Sequence, residues 1–317
     1  MTQTRTKVAV VGASGIGKHH AKWWALEGAD VCAFAGTSPD SVAKTQKMLA
    51  DMFGFSGRGY TDLPELLRRE RPQIVDVCSP PPRHFEHVQA ALAAGCDVLC
   101  EKPFVFDAAL SSEALLQQAR ALVAAAARSG RRVGLCSQYH VSVRCCRQLL
   151  AEHTGQQAVE RYCGRLSSPA KSETPDPGAT WIDLAPHMLA AVQALAPEGE
   201  IAFDSLVKSF AGHQATARFA VTSPGGRMDC EVVTGRTVPG AGPAHIREFE
   251  LDGARFVIGA GTDAQGAYCA RLETPWGARD YPDMLRLTVR EFLAGSTPID
   301  GPAAVANLSW LLEIGRR

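Results

Sequence analysis

Three groups of residues have the types and spacing to do chemistry. The first is VVGASGIGKHHA, residues 10–21, where an apolar run passes into a helical pattern. Gly12, Gly15 and Gly17 allow a tight turn and close approach of backbone to a ligand, and a helix starting there points N–H groups at a phosphate. Serine stands where such loops usually carry their second glycine. Ser14 is small and its hydroxyl is able to face phosphate, and Ile16 completes the turn. The second feature is an absence. The carboxylate that reads a ribose 2′-hydroxyl is expected about 20 residues further on, yet the chain there reads Ala35-Gly36-Thr37-Ser38. Gly36, Thr37 and Ser38 leave room for a 2′-phosphate and offer hydroxyls, so NADP is expected in preference to NAD. The alternative reading makes Ser38 the cap of the next helix and Gly36 a turn. The third group is Asp183 and His187, four apart and so on one face of a helical turn. A carboxylate there can hold an imidazole in one tautomer, although such a pair can equally be a surface contact. No third ligand stands at metal spacing, so no metal is expected.

Residues 78–104, CSPPPRHFEHVQAALAAGCDVLCEKPF, narrow the choice. Lys102 precedes a proline and so stays extended, in line with its strand. It projects at the carboxyl edge of the sheet, where α/β folds place ligands. With the glycine turn before it, this stretch resembles the Gfo/Idh/MocA oxidoreductases. In that family a loop of the pattern (T/S)-P-x-x-x-H corresponds to Ser79, Pro80 and His84, and a strand ending in E-K-P corresponds to Glu101, Lys102 and Pro103. The resemblance implies a Rossmann half that binds NADP or NAD, with Ser79, Pro80, His84, Glu101 and Lys102 near the cofactor. It implies that Lys102 polarises a substrate hydroxyl, that His187 exchanges its proton and that Asp183 orients His187. The expected reaction is hydride transfer between nicotinamide and a secondary alcohol or ketone of a small sugar- or cyclitol-like molecule. The alternatives are a non-sugar substrate (a dihydrodiol, an imine or a biosynthetic ketone) and a cofactor-binding sensor without turnover. Two departures bear on substrate choice. QYHVSVRCC, 138–146, lacks the arginine-bearing stretch of many sugar-oxidising members, and Trp181 stands where a glycine run is usual, narrowing the pocket. Tyr139 and His140, at the end of the fifth strand, are expected to line that pocket or to pack. His84 and His87 share a helix face, with His87 expected at the surface. His19 and His20 are expected at partly exposed helical positions, and Trp23 and Trp24 to pack a helix against the sheet or a partner subunit.

The elements that position these residues can be read from periodicity. KVAVVG (7–12), DVCAFAG (30–36), QIVDVCSP (73–80), CDVLCEKP (96–103) and RRVGLCSQ (131–138) are near-continuous apolar runs, the pattern of parallel strands covered on both faces. Helical patterns lie between them at 16–27, 39–52, 62–69, 82–94 and 108–129. Ser38-Pro39 reads as an N-cap followed by proline at N1. The alternation predicts a doubly wound α/β sheet over 1–142. From 143 to 317 the texture changes. A helical stretch at 183–195 precedes SLVKSFA (205–211), ATARFAV (215–221), MDCEVVTG (228–235), REFELDG (247–253) and ARFVIGA (254–260), several of which alternate polar and apolar residues. Helical patterns return at 284–295 and 302–314. A second, α+β domain with a mainly antiparallel sheet follows from this, its final helices able to pack back on the first domain. Residues 167–178, SSPAKSETPDPG, are expected to be the most mobile loop.

Composition excludes several classes. The 317 residues carry 33 Lys+Arg and 33 Asp+Glu, so no basic footprint for nucleic acid or anionic membrane exists. At 46% hydrophobic and 21% charged, the chain is that of a folded protein and not a disordered one. No apolar run reaches bilayer length and MTQTRTK lacks a signal-type core, so a cytoplasmic protein is expected. Ten cysteines lie mostly in strand-like runs without CxxC pairs, as reduced structural thiols do. An apolar face on the second sheet is expected to bury itself in a homodimer or homotetramer.

Overall fold

β1 (Lys7–Val11), α1 (Gly17–Leu26), β2 (Asp30–Ala35), α2 (Pro39–Phe53), β3 (Arg58–Tyr60), α3 (Leu63–Glu70), β4 (Ile74–Val77), α4 (His84–Ala93), β5 (Asp97–Glu101), α5 (Ser112–Ser129) and β6 (Val133–Cys136) follow one another in strict alternation. Every strand pair among them is parallel, in the order β3-β2-β1-β4-β5-β6. The order reverses between β1 and β4, which makes the carboxyl edge there the natural ligand crevice. The computed structural model describes residues 5–170, 172, 174–238, 240, 243–262 and 268–317. By contact, the chain forms two units. One runs to Cys136 and takes in Leu285–Ala306; the other is Ser137–Met284 with Asn307–Arg317.

Local signals explain the first unit. Ser38 caps α2 with its side chain accepting the Ser41 N–H, Pro39 opens the helix, and Gly54 ends it at φ 75°. β1, β4 and β6 are buried almost end to end, as strands covered on both faces must be. β3 escapes detection from the sequence because it has three residues, of which only Tyr60 is buried. Trp23 and Trp24 are buried as expected, and Trp24 meets Phe292 edge to face at 6.2 Å. Phe292, Val289 and Leu285 lie in the same core although they are distant in sequence. Glu27, at the end of α1, takes hydrogen bonds from Arg286 and Arg290.

The second unit contains α6 (Gln138–Thr154), β7 (Arg161–Pro169), α7 (Pro177–Leu195), β8 (Glu200–Ala211), β9 (Gln214–Ser223), β10 (Gly226–Thr237), β11 (Ile246–Leu251), β12 (Ala254–Thr262), β13 (Tyr268–Thr274) and β14 (Gly277–Pro282). The chain ends in α8 (Met284–Leu293) and α9 (Gly301–Arg316), and the division between units falls within α9. The eight strands run β14-β13-β12-β11-β7-β10-β9-β8, antiparallel except for β7 beside β10. α7 packs on one face, where Tyr162, Leu166, Phe249 and Met188 are buried. The other face is not the apolar surface expected. Arg218, Glu231, Cys163 and Glu250 form a row across β9, β10, β7 and β11, and Arg218 pairs with Glu231. Of the expected loop 167–178, residues 167–169 belong to β7 and 177–178 to α7, while 171 and 173 lie outside the described residues. Residues 138–146, expected to follow the fifth strand, belong to the helix α6, and Gln138, counted in that strand, is its first residue.

Glu27 yields a pH-dependent prediction. Burial pushes its carboxyl up, but the hydrogen bonds from Arg290 and Arg286 outweigh this and hold it below its ordinary value. A depressed folded pKa contributes stability above the unfolded value and loses it as pH falls through the folded one. Glu27→Gln should therefore lower the melting temperature at pH 7 by a few degrees, about 1 kcal/mol. In thermal melts from pH 7 to pH 3 the deficit should shrink. A constant deficit would show that the charge contributes nothing.

Candidate active site

The turn after β1 is built so that only glycine fits at two points. Gly12 stands at φ 88°, and a Cβ there would lie 2.8 Å from the Cys78 carbonyl oxygen. A Cβ on Gly17 would lie 2.5 Å from the Gly12 oxygen, so α1 can start this close to the strands only without a side chain. A Cβ on Gly15 would meet nothing within 4 Å, and Ser14, Gly15 and Ile16 are exposed along the crest of the turn. α1 begins without a side-chain cap, so its first N–H groups suit an anionic ligand. A dinucleotide pyrophosphate fits this cradle.

At the end of β2, residues 35–38 present no carboxylate. Ser38 and Ser41 form a reciprocal capping box, with Ser41 Oγ accepting the Ser38 N–H at 3.1 Å and lying 3.4 Å from Thr37 Oγ1. Ser38 is thus a helix cap, as the alternative reading held. Ser41 was not singled out, although the spacing Ser38-x-x-Ser41 signals it.

The ends of β4 and β5 come together through buried histidines. His84 is 1% exposed, with Nδ1 2.8 Å from the Pro103 oxygen and Nε2 2.7 Å from the Ser79 oxygen. It braces the Ser79 turn against the Lys102–Pro103 turn and does not present its nitrogens to a ligand. Burial holds its pKa below the ordinary value, against the pull of the two carbonyls. His87 is half-buried rather than at the surface, its Nδ1 2.9 Å from Ser79 Oγ. His19 is exposed, whereas His20 is fully buried, contrary to expectation. Its Nδ1 lies 2.8 Å from Asp76 and its Nε2 3.2 Å from Glu101. Asp76, on the central strand β4, carried no visible signal in its apolar run. Glu101 points one oxygen at His20 and the other at the Lys102 N–H. Pro80 precedes a short 3₁₀ turn, Pro81–Arg83, that leads into α4.

In the second unit, Asp183 and His187 lie on α7 as expected, with partners of their own. His187 Nδ1 is 3.0 Å from Ser137 Oγ, and its ring is 5.0 Å from the Tyr139 ring. Asp183 pairs with Arg236, which also reaches Ser168. Ser137 and Arg236, the partners of these two candidates, could not be found from spacing alone, because they come from other elements. Tyr139 and His140 sit in the first turn of α6, not at a strand end. Burial pushes Tyr139 up to about 12, so its hydroxyl stays protonated. Burial first, then Arg144 and Arg147, takes His140 down to about 4, so it is neutral. Trp181 does not narrow a pocket. It is fully buried, donates from Nε1 to the Leu311 oxygen at 3.0 Å and packs on Phe210. The ten cysteines are free thiols, and all but Cys145 and Cys163 are buried. Among the described residues no helix is long and apolar enough to cross a membrane.

A parallel sheet reversing at β1/β4, with a glycine cradle at that edge, defines a dinucleotide-binding unit, and residues 6–136 match the model of the oxidoreductase family with NAD-binding Rossmann fold. That model is the Gfo/Idh/MocA one, and it matches this stretch of the chain alone. The chain is 36% identical over 108 residues to D-glucoside 3-dehydrogenase of Escherichia coli K12, covering 32% of this chain and 28% of that protein. It is 31% identical over 149 residues to inositol 2-dehydrogenase of Pseudomonas savastanoi pv. phaseolicola, covering 45% and 41%. The chain thus matches less than half the length of either relative. Fold similarity extends further. UDP-N-acetylglucosamine 3-dehydrogenase of Acidithiobacillus ferrooxidans has a TM-score of 0.71 at 19% identity, over 98% of this chain and 97% of that one. An inositol dehydrogenase homologue of Azotobacter vinelandii, solved with NAD+, has a TM-score of 0.70 at 18% identity, over 99% and 96%. At these identities the likeness is one of fold.

Gly12→Ala and Gly17→Ala should each weaken NAD(P)H binding at least about tenfold, since strain and collision of this kind cost 1–2 kcal/mol or more. Fluorescence titration of the folded variants reads this directly. Unchanged affinity in both would show that the turn holds no dinucleotide.

Proposed function

We propose that the protein is an NADP-preferring oxidoreductase that interconverts a secondary alcohol and a ketone on a small sugar- or cyclitol-like molecule. One observation carries the reading: the Gly12–Gly17 cradle, the Ser79 turn and Lys102 follow β1, β4 and β5, three adjacent strands, at one edge of the parallel sheet. The dinucleotide-binding fold of residues 6–136 and the named activities of the relatives support it.

The first unit would hold the dinucleotide by its glycine turn and the start of α1. Nicotinamide, when bound, supplies the carbon that gives or takes hydride. An alcohol that loses hydride leaves charge on its oxygen, so a cation and a proton acceptor are needed there. Lys102 would hydrogen-bond that oxygen. His187 would take or return the proton through Nε2, with Nδ1 held by Ser137. Asp183, paired with Arg236, would keep negative charge near the imidazole. NADP preference is supported by the absence of a carboxylate at 35–38 and by the exposed hydroxyl of Thr37 just before α2. A carboxylate there would repel a 2′-phosphate. We further propose that copies of the chain assemble through the open face of the eight-stranded sheet.

The test is a panel of sugars, cyclitols and aromatic diols, followed through reduced-cofactor absorbance with NADP and NAD. Lys102→Ala should lower turnover of any substrate found by about 10²–10⁴-fold while NADPH affinity stays within a fewfold. Retained turnover would refute the role of Lys102. Thr37→Asp should move the preference towards NADH, and equal affinities of the parent for NADPH and NADH would remove the proposed selectivity.

A further inference from the structure

His20 is a fully enclosed ionisable group of the first unit that the proposed chemistry does not use. It lies one turn into α1 and is fully buried. Asp76 Oδ2 is 2.8 Å from its Nδ1 and also accepts the Trp24 indole N–H at 2.6 Å. Glu101 Oε1 is 3.2 Å from its Nε2, an ion pair rather than an aligned hydrogen bond. The other Glu101 oxygen accepts the Lys102 backbone N–H at 3.2 Å. The thiols of Cys78, just past β4, and of Cys136 on β6 complete the surroundings.

Elementary accounting sets the protonation. An ionised carboxylate only accepts, and a neutral imidazole has one N–H and one lone pair. Between two carboxylates, a neutral ring would turn that lone pair on one of them. Only the imidazolium serves both, and its charge offsets theirs around a ring that solvent does not reach. Burial is the largest single influence and opposes the charge, yet the attraction and hydrogen bond of Asp76 and the smaller contributions of its neighbours together hold the pKa of His20 well above the ordinary value. Burial pushes the Cys78 and Cys136 thiols up, so they are neutral. The same atoms could in geometry hold a cation, as His20–Asp76–Cys78 or as His20–Glu101–Cys136. That would need a thiolate where burial disfavours one, and it would displace the contacts Asp76 already makes.

We infer that His20 is a positioning residue whose imidazolium ties the helix of the dinucleotide turn to Glu101, and through Glu101 to the backbone of Lys102. The inference rests on Lys102 being the reacting cation. α1, β4 and β5 become one mechanical unit at the crevice, so the element that receives the cofactor's phosphates also fixes the turn that carries the lysine. His20 itself touches no ligand, since its ring is sealed in the core.

Three measurements test this, two of them independent of turnover. Nitrogen-15 NMR of the parent protein should show both His20 ring nitrogens protonated from pH 6 to pH 8.5; a ring that titrates near 6.5, or one stoichiometric bound zinc, overturns the proposal. In a crystal structure of His20→Gln, Glu101 should leave the Lys102 N–H and the Lys102 turn should shift; Glu101 and Lys102 within about 0.5 Å of their parent positions overturn it. With a substrate from the panel, His20→Gln should lower kcat at least tenfold while NADPH affinity and substrate KM stay within about threefold. Lys102→Ala runs in parallel. An active Lys102→Ala defeats the functional reading itself, whereas an inactive Lys102→Ala beside a fully active His20→Gln defeats only the role of His20. Should His20→Gln fail to fold, the NMR and metal content of the parent still decide.

Discussion

A carboxylate in the middle of a parallel sheet is the constraint around which the first unit is arranged. Asp76 is wholly buried on β4, where an uncompensated charge would be intolerable. Its oxygens are served by His20, Trp24 and the Cys78 thiol. Two of those donors come from α1, so the helix must lie close on the strands with its indole and imidazole turned inward. Gly17 makes the approach possible, because any side chain there would strike the Gly12 carbonyl. The charge in the core and the glycines in the turn are two requirements of one packing.

That packing sets the crevice. The cradle after β1, the Ser79 turn after β4 and the Lys102 turn after β5 follow neighbouring strands, and each is tied to another by buried groups. His84 lies between the second and the third with each ring nitrogen against a carbonyl, the neutral ring donating to one of them. His20 joins the first helix to Glu101. A parallel sheet sends all its carboxyl ends the same way, and these braces prevent the loops there from drifting apart.

The second unit solves a different problem. One face of its sheet is closed by α7 with large apolar side chains, and the helix brings Asp183 and His187 with it. Pro186, inside that helix, has no N–H to continue the ladder, and the Asn307 amide donates to its carbonyl at 3.2 Å. Ser137, just before α6, and Arg236, on β10, then hold the imidazole and the carboxylate. The opposite face carries cross-strand charge pairs, which keep an extended sheet surface wet and selective in what it accepts.

Periodicity and turn chemistry were enough to read the alternating α/β half, the antiparallel half, the glycine turn, the Ser38 cap and the placement of Lys102 at a strand end. Each is a local property: strand runs buried on both faces are apolar throughout, and caps and turns are set within a few residues. β3 was too short to register, and α6 went unread because its first turns, Tyr139 to Val143, are buried all round and show no polar face. Partners distant in the chain were beyond the sequence altogether. That His20 is sealed between Asp76 and Glu101, that Ser137 rather than a residue of α7 meets His187 Nδ1, and that Trp181 faces the core instead of a pocket all follow from which elements pack together. Burial and the need to satisfy buried polar groups act across the fold, and only the assembled tertiary structure decides them.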